Sequence, residues 1–306
     1  MNRRLFLRTV GFRAAALGAA AFGVGCHRFS TPPDRSFRIS LAEWSYHKAL
    51  FGQKMTHLDF PIVARRTHDI EAIELVNQFF KDKATDRTYL REFKSRADGE
   101  GVRCVLIMCD GEGALGDPDT AKRKQAVLNH HKWVDAAKFL GCHSIRVNAE
   151  THDIGSFDEQ QKRAADGLTA LADYCRSLGM RCLVENHGHL SSNGKWLAGV
   201  MKRVGKSNCG TLPDFGNFTL REGETYDRYL GVAELMPFAK AVSAKSYDFD
   251  REGLCLETDY KRMMKIVLDA GYRSFVGIEY EGSILAEKEG INATRDLLIR
   301  LRLDGV

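Results

Sequence analysis

The sequence predicts an α/β fold, a (β/α)8 or TIM barrel making a single domain behind an N-terminal signal. Three observations carry this. Eight short apolar or β-rich runs alternate strictly with longer amphipathic stretches, at spacings of roughly 30–40 residues. Gly141, Gly179 and Gly271 stand just before the next run, where a helix closes on a residue that tolerates the left-handed conformation. No GxGxxG or GxxxxGK[ST] follows the first run, which argues against an open doubly wound sheet built around a nucleotide.

The signal comes first in the chain. Asn2-Arg3-Arg4-Leu5-Phe6-Leu7-Arg8 is a twin-arginine run, and a mildly apolar Ala/Gly-rich stretch follows from Ala14 to Gly25. Residues 1–26 therefore read as a twin-arginine export signal. Gly23-Val24-Gly25-Cys26 has the form of a lipoprotein cleavage box, and Ala19-Ala20-Ala21 offers a competing peptidase site. The expected location is periplasmic, free or held at the membrane by a lipid on Cys26, with 27–36 as linker and 37–306 as the barrel. Residues 1–30 hold five arginines and no acid, so of 45 basic residues 40 remain, against 40 acids. A neutral body gives no reason to expect a nucleic-acid partner. No run of about 18 apolar residues predicts an ordinary membrane span. Beyond Cys26 lie seven cysteines without a CxxC, which read as small buried hydrophobes rather than a disulfide framework.

The predicted strands fall in RISLAEWS (38–45), AIELVNQF (72–79), RCVLIMCD (103–110), SIRVNAE (144–150), RCLVENHG (181–188), GTLPDFGN (210–217), AVSAKSYD (241–248) and FVGIEYEG (275–282). Predicted helices between them include Pro118–Leu140, Ser156–Leu178, Gly194–Val204 and Asp259–Ala270, with Gly290–Leu303 after the last strand. Almost every run starts apolar and turns polar late. Glu43 ends the first, and Glu74 and Asn77 lie in the second. Arg146, Asn148 and Glu150 share a side of the fourth at i, i+2 and i+4, as Glu185 and His187 do in the fifth. Asp214 and Asn217 close the sixth; Ser243 and Lys245 lie in the seventh, Glu279 and Glu281 in the eighth. Barrel active sites sit at the C-terminal ends of the strands, which is where these groups fall.

Glu185, Asp214 and Glu279 are acids at the ends of three different strands. Carboxylates gathered so closely repel one another unless a cation holds them. A divalent ion with oxygen ligands (Mg, Mn, Co or Zn) answers that need, and an ion-pair network with Arg146 and Lys245 is the structural alternative.

VENHG, LPDFGN, SAKSYDF and EYEG resemble the xylose isomerase-like superfamily of TIM barrels over essentially the whole of 37–306. They are similar to an exported bacterial subgroup described as sugar phosphate isomerase/epimerase. The resemblance implies a metal on Glu185, Asp214 and Glu279, with a His in the seventh strand. Here Ser243 stands at that His position, and a hydroxyl is a poorer ligand than imidazole. The alternatives are three carboxylates plus water, a substitute such as His187, or a site without metal in which Lys245 supplies the charge. Asn217 likewise replaces a His of some members.

The expected activity is isomerisation or epimerisation of a small carbohydrate by proton transfer next to a carbonyl. Glu185, Glu279 and Lys245 are the catalytic candidates. Glu43, Glu74, Arg146, His187, Asn217 and Glu281 are the candidates for binding sugar hydroxyls, and Trp44, Phe79 and Tyr280 for stacking on the ring. Asp248, Asp250, Glu252 and Glu281 would repel a phosphate, so the expected sugar or keto-sugar is unphosphorylated. The alternatives are a lyase or hydratase acting on 3-keto sugars or a cyclitol, and a non-catalytic sugar-binding barrel. A homo-oligomer is compatible with the sequence.

Overall fold

The computed structural model describes residues 36–305, so residues 1–35 and the signal and lipid-anchor expectations that fall on them lie outside it. Eight parallel strands carry the fold: β1 (Arg38–Ala42), β2 (Ala72–Val76), β3 (Arg103–Met108), β4 (Ser144–Asn148), β5 (Arg181–Glu185), β6 (Cys209–Leu212), β7 (Val242–Ser246) and β8 (Phe275–Tyr280). Each is followed by a helix: α1 (Phe60–His68), α2 (Arg87–Gly99), α3 (Thr120–Leu140), α4 (Phe157–Ser177), α5 (Gly194–Val204), α6 (Arg228–Leu235), α7 (Tyr260–Asp269) and α8 (Glu287–Leu303). Short polar side chains start several of them. Asp86, Asp119, Asn193, Asp227 and Asp259 accept backbone N–H bonds from the first turn, and Ser156 forms a capping box with Glu159.

The strands pair in the order β6-β5-β4-β3-β2-β1-β8-β7, all parallel. The last seam, between β6 and β7, is sparse. Pro213 has no N–H to give, and the regular ladder of β6 stops at Leu212. The barrel closes there through isolated bridges, Thr211 to Ala239 and Asp214 to Ser243. Phe215 N donates to Ser243 O (3.1 Å), and Ser243 N to Pro213 O (2.9 Å).

Strand alternation sorts the side chains into two cores. Ile73, Ile107, Ile145, Val184 and Ile278 point outward and pack under the helices in the main cluster. Leu106, Leu183, Leu212 and Phe275 belong to a separate buried cluster. Leu183 lies two before Glu185, Leu212 two before Asp214, and Phe275 four before Glu279. These residues therefore line the same inner side, and below its ionic C-terminal end the lumen is largely apolar, apart from the buried Ser40–Glu74 pair. All seven described cysteines are buried and free.

Candidate functional site

The strand register sets the site. Glu279 is level with Lys245, Asn148 with Glu185, and Asp214 bridges to Ser243. Glu185 and Asp214 are wholly buried and Glu279 is 3% exposed. One carboxylate oxygen from each lies within 4.8 Å of the other two. Asn186 ties β5 to the turn after β6. Its Oδ1 accepts from Asp214 N at 2.8 Å, and its Nδ2 donates to the carbonyls of Asp214 and Asn217. Asp214 Oδ1 in turn accepts the backbone N–H groups of Gly216 and Asn217, at 2.8 Å each.

Two buried cations face these acids. The Arg146 guanidinium lies against Glu185 Oε2 and reaches Asp110 Oδ1 at 2.6 Å. Lys245 Nζ meets Glu279 Oε1 and Glu281 Oε1, both at 3.0 Å, and donates to Asn217 Oδ1 at 3.1 Å. Asn217 Nδ2 then donates to Glu185 Oε1 at 3.3 Å, so one amide joins the two halves of the network. The Ser243 hydroxyl is 2.7 Å from Asp214 Oδ2 and 3.4 Å from Glu279 Oε2.

The electrostatics follow from the counting. Burial pushes Glu185 up to about 7, with Arg146 pulling it down and Glu279 pushing it further up. Burial does the same to Asp214, also up to about 7, with Lys245 opposing and Glu185 and Glu279 adding to the rise. Burial alone would raise Glu279, but Lys245, helped by Arg146 and His187, holds that carboxyl below its ordinary range. Burial would lower Lys245, yet Glu279 and Asp214 carry it well above the usual lysine value. Asp110, for all its burial, falls to about 2 beside Arg146 and His187.

A cavity of about 330 Å³ opens over this layer. Arg146, His187, Asn217, Lys245, Glu279 and Glu281 line it, with Trp44 at its edge. Glu185 and Asp214 do not line it and sit beneath its floor. Trp44 stacks on His47 with ring centroids 5.2 Å apart and lies near Phe79 at 5.9 Å.

Other candidates from the sequence are placed elsewhere. Glu43 is fully buried, holding His57 Nδ1 at 2.7 Å and Val76 N at 3.0 Å. Glu74 lies in the lumen, where Ser40 donates to it at 2.6 Å, and burial pushes it up to about 8. Tyr280 is buried and donates its hydroxyl to Leu285 O at 3.0 Å. Glu150 lies beyond the end of β4 and pairs with His152 Nδ1 at 3.2 Å. Asp110 had no assigned role in the sequence, although it ends the third run as the other site acids end theirs. It accepts both Arg146 and Asn148.

The donor set fits a divalent cation. Glu185, Asp214, Glu279, Asp110 and Glu281 outnumber Arg146 and Lys245. A layer this short of positive charge takes up protons or a metal. Glu185, Asp214 and Glu279 would hold the ion. Among the described residues the close group of candidate ligand atoms contains those three carboxylates and no imidazole.

Fold and site together define a TIM barrel with a carboxylate cluster at the C-terminal mouth. The chain belongs to the xylose isomerase-like TIM barrel family, whose model matches residues 63–301. No curated protein matches it in sequence. Solved structures share the fold at low identity. The IolI protein with a bound zinc atom superposes with a TM-score of 0.67 at 12% identity, over 88% of this chain and 99% of that one. A xylose isomerase-like TIM barrel protein from Mycobacterium smegmatis in complex with magnesium gives 0.65 at 16%, over 90% and 99%. The 3-keto-D-glucoside 4-epimerase YcjR from E. coli gives 0.61 at 16%, over 88% and 100%.

Proposed function

We propose that the protein is a carbohydrate isomerase or epimerase that moves a proton at a carbon next to a carbonyl of an unphosphorylated sugar or keto-sugar. The observation that carries this reading is the cavity floor, where the ionised Glu279 carboxylate, the Lys245 ammonium and the Arg146 guanidinium face one small space. A bound divalent ion would supply Lewis acidity to the substrate's oxygens. The chain's own groups do the rest. Lys245 and Arg146 present N–H donors to the carbonyl oxygen and hold the negative charge that develops there when the neighbouring proton leaves. Glu279 takes that proton. Glu185, three strands away round the barrel, lies beneath the floor, where it would help hold the ion and accepts the Asn217 amide that also touches Lys245. Asn217 and His187 orient hydroxyls, and Asn217 keeps Lys245 and Glu185 in fixed relation. Support for an uncharged substrate comes from Glu281 at the rim and from Asp110 beside Arg146, which offset the charge of the two cations lining the cavity. Export by the twin-arginine route, as the first 26 residues suggest, agrees with a substrate that is not phosphorylated.

The test is to incubate the metal-supplemented protein with a ketose and with a 3-keto glycoside in D₂O. Deuterium at the carbon next to the carbonyl, with an epimerised or isomerised product, is the expected result. An unsaturated product would assign a lyase instead. Tight sugar binding without exchange on either compound would assign a binding barrel.

A further inference from the structure

The cavity over the acids is not the only one at this end of the barrel. A second, of about 230 Å³, lies beside it and shares His187 as a common wall. It is built by the loops after β4 and β5, from Asn148 to Asp153 and from His187 to Ser191. Asp153, His189 and Leu190 then pass into a third, open hollow of about 410 Å³ whose sides include Phe157 and Leu220. The three adjoin through these shared residues and form a trough of successive hollows leading away from Lys245 and Glu279.

The loops that form the trough are held in an unusual backbone state. Among the described residues five non-glycines have positive φ, and three of them are His152, Asp153 and His189. Left-handed residues of this kind persist where surrounding contacts fix them, and they collect at ligand sites. Here the contacts are visible. His189 Nδ1 meets Asp153 Oδ2 at 2.6 Å, tying one loop to the other. His152 is held at 3.2 Å by Glu150 on one nitrogen and by Asp117 on the other.

The chemistry of the walls narrows the occupant. No lysine or arginine lines the second cavity, and Glu150 and Asp153 do, so an anionic group is disfavoured. In the third hollow Arg221 is paired with Glu224 at 2.5 Å. What remains is a set of carboxylate, imidazole and amide groups suited to hydroxyls, beside the apolar sides of Leu190 and of Phe157, which is 44% exposed. That mixture of hydroxyl partners and an apolar face suits a neutral sugar ring. Alone, the cavity over the acids is near the lower end of the ~300–1,000 Å³ usual for ligand sites, and the trough extends it well into that range.

We infer that the substrate is a glycoside of at least two rings. The reacting ring lies over Lys245 and Glu279, and the second ring lies in the cavity between the β4 and β5 loops, past His187. This rests on the proton-transfer reading for its first ring and on the trough for its second.

Two probes test it, 3-keto-D-glucose and 3-keto-maltose. In full-length Glu279→Gln protein, calorimetry should show 3-keto-maltose binding at least tenfold more tightly than 3-keto-D-glucose. Leu190→Trp, added to that background, fills the second cavity. It should erase the difference while leaving 3-keto-D-glucose affinity within about twofold. If the tryptophan prevents folding, as circular dichroism will reveal, Asp153→Ala with His189→Ala removes the loop tie and should lower only the disaccharide affinity. Equal affinity of the two sugars, or equal effects of the variants on both, overturns the second subsite. If the disaccharide is preferred but wild-type protein exchanges no deuterium into either sugar, the subsite stands and the proton-transfer reading falls. Exchange on both sugars at equal kcat/KM does the reverse.

Discussion

The Ser243 hydroxyl donates to Asp214 Oδ2 at 2.7 Å across the sparse seam where β6 meets β7. An imidazole would offer a metal a lone pair at this point, whereas the serine stabilises one of the carboxylates instead. The charge imbalance of the layer therefore rests on the three acids, and a bound ion depends on them. One divalent ion per chain is expected in protein supplied with zinc or manganese. Asp214→Asn and Glu185→Gln are each expected to weaken it by roughly 10–100-fold or more, the range already seen when only outer-shell partners are lost. Ser243→Ala, which removes a neutral donor, should cost less than either. Metal analysis with calorimetry decides it, and an absence of ion from both wild type and Glu185→Gln protein would sink the metal-centred site.

Lys245 is the joint of the ionic layer, since Glu279, Glu281 and Asn217 all converge on its ammonium. Lys245→Met is expected to abolish most of the deuterium exchange, by about 10²–10³-fold, the usual loss when one preorganised oxyanion donor is removed. It should also destabilise the fold by about 3–5 kcal/mol, because Glu279 is left buried without its partner. Lys245→Arg should recover stability more fully than activity, since a planar guanidinium restores the charge in a different geometry. An exchange rate within threefold of wild type in the Met variant would remove Lys245 from the mechanism.

Much of this was legible from residue order. Barrel strands buried on both faces read as apolar runs, and their polar C-terminal ends stood out because nothing else in a core wants them. Several helices announced their ends through a closing Gly, while the Asp, Asn and Ser caps at their starts emerged only with the structure. Which polar residue faces the lumen was harder to read. Strand parity places i and i+2 together, but the β2–β3 ladder shifts register between Ile73 and Glu74, and β4 ends at Asn148, before Glu150. Asp110 ends the third run without standing out in it, and only the packing of Arg146 and Asn148 around it places it in the site. Glu43 and Glu185 are both acids at the end of an apolar run. Only the three-dimensional positions of His57 and Val76 N–H show that the first is fully engaged by its own neighbours.

Glu74 makes stability depend on pH. Burial raises its folded-state value to about 8, with Glu279 and Glu185 adding to the rise and Ser40 opposing it, from an ordinary 4.5. The folded chain therefore binds a proton there that the unfolded chain releases. Glu74's contribution is complete below about 4.5 and is lost as the pH rises towards 8, beyond which it is level. The full effect is on the order of a few kcal/mol. Glu74→Gln keeps an acceptor for Ser40 and cannot ionise, so urea midpoints should fall less between pH 5 and 9 than in wild type. The variant should be the more stable of the two at pH 9. Parallel midpoint curves would show that Glu74 does not carry a proton in the fold.

Glu43 offers the cleanest separation of a structural acid from a substrate-binding one. Its two oxygens are already used, Oε1 by His57 Nδ1 at 2.7 Å and Oε2 by Val76 N–H at 3.0 Å. His57 lies between Phe80 and Phe93, stacked at 4.1 and 4.2 Å, so its ring cannot turn away to find water. Glu43→Ala leaves a backbone donor and a ring nitrogen buried without acceptors, at about 1–3 kcal/mol for each. Glu43→Gln keeps one acceptor and should lie between that variant and wild type. Because Glu43 does not line the cavity over Lys245, its loss should lower Tm while KM for the sugar stays within about twofold. Urea unfolding and steady-state deuterium exchange on the same two variants separate the roles. A Glu43→Gln protein with unchanged stability and a KM raised tenfold would place this carboxylate against the substrate, and the burial that now sets it apart from the mouth would have to open when sugar binds.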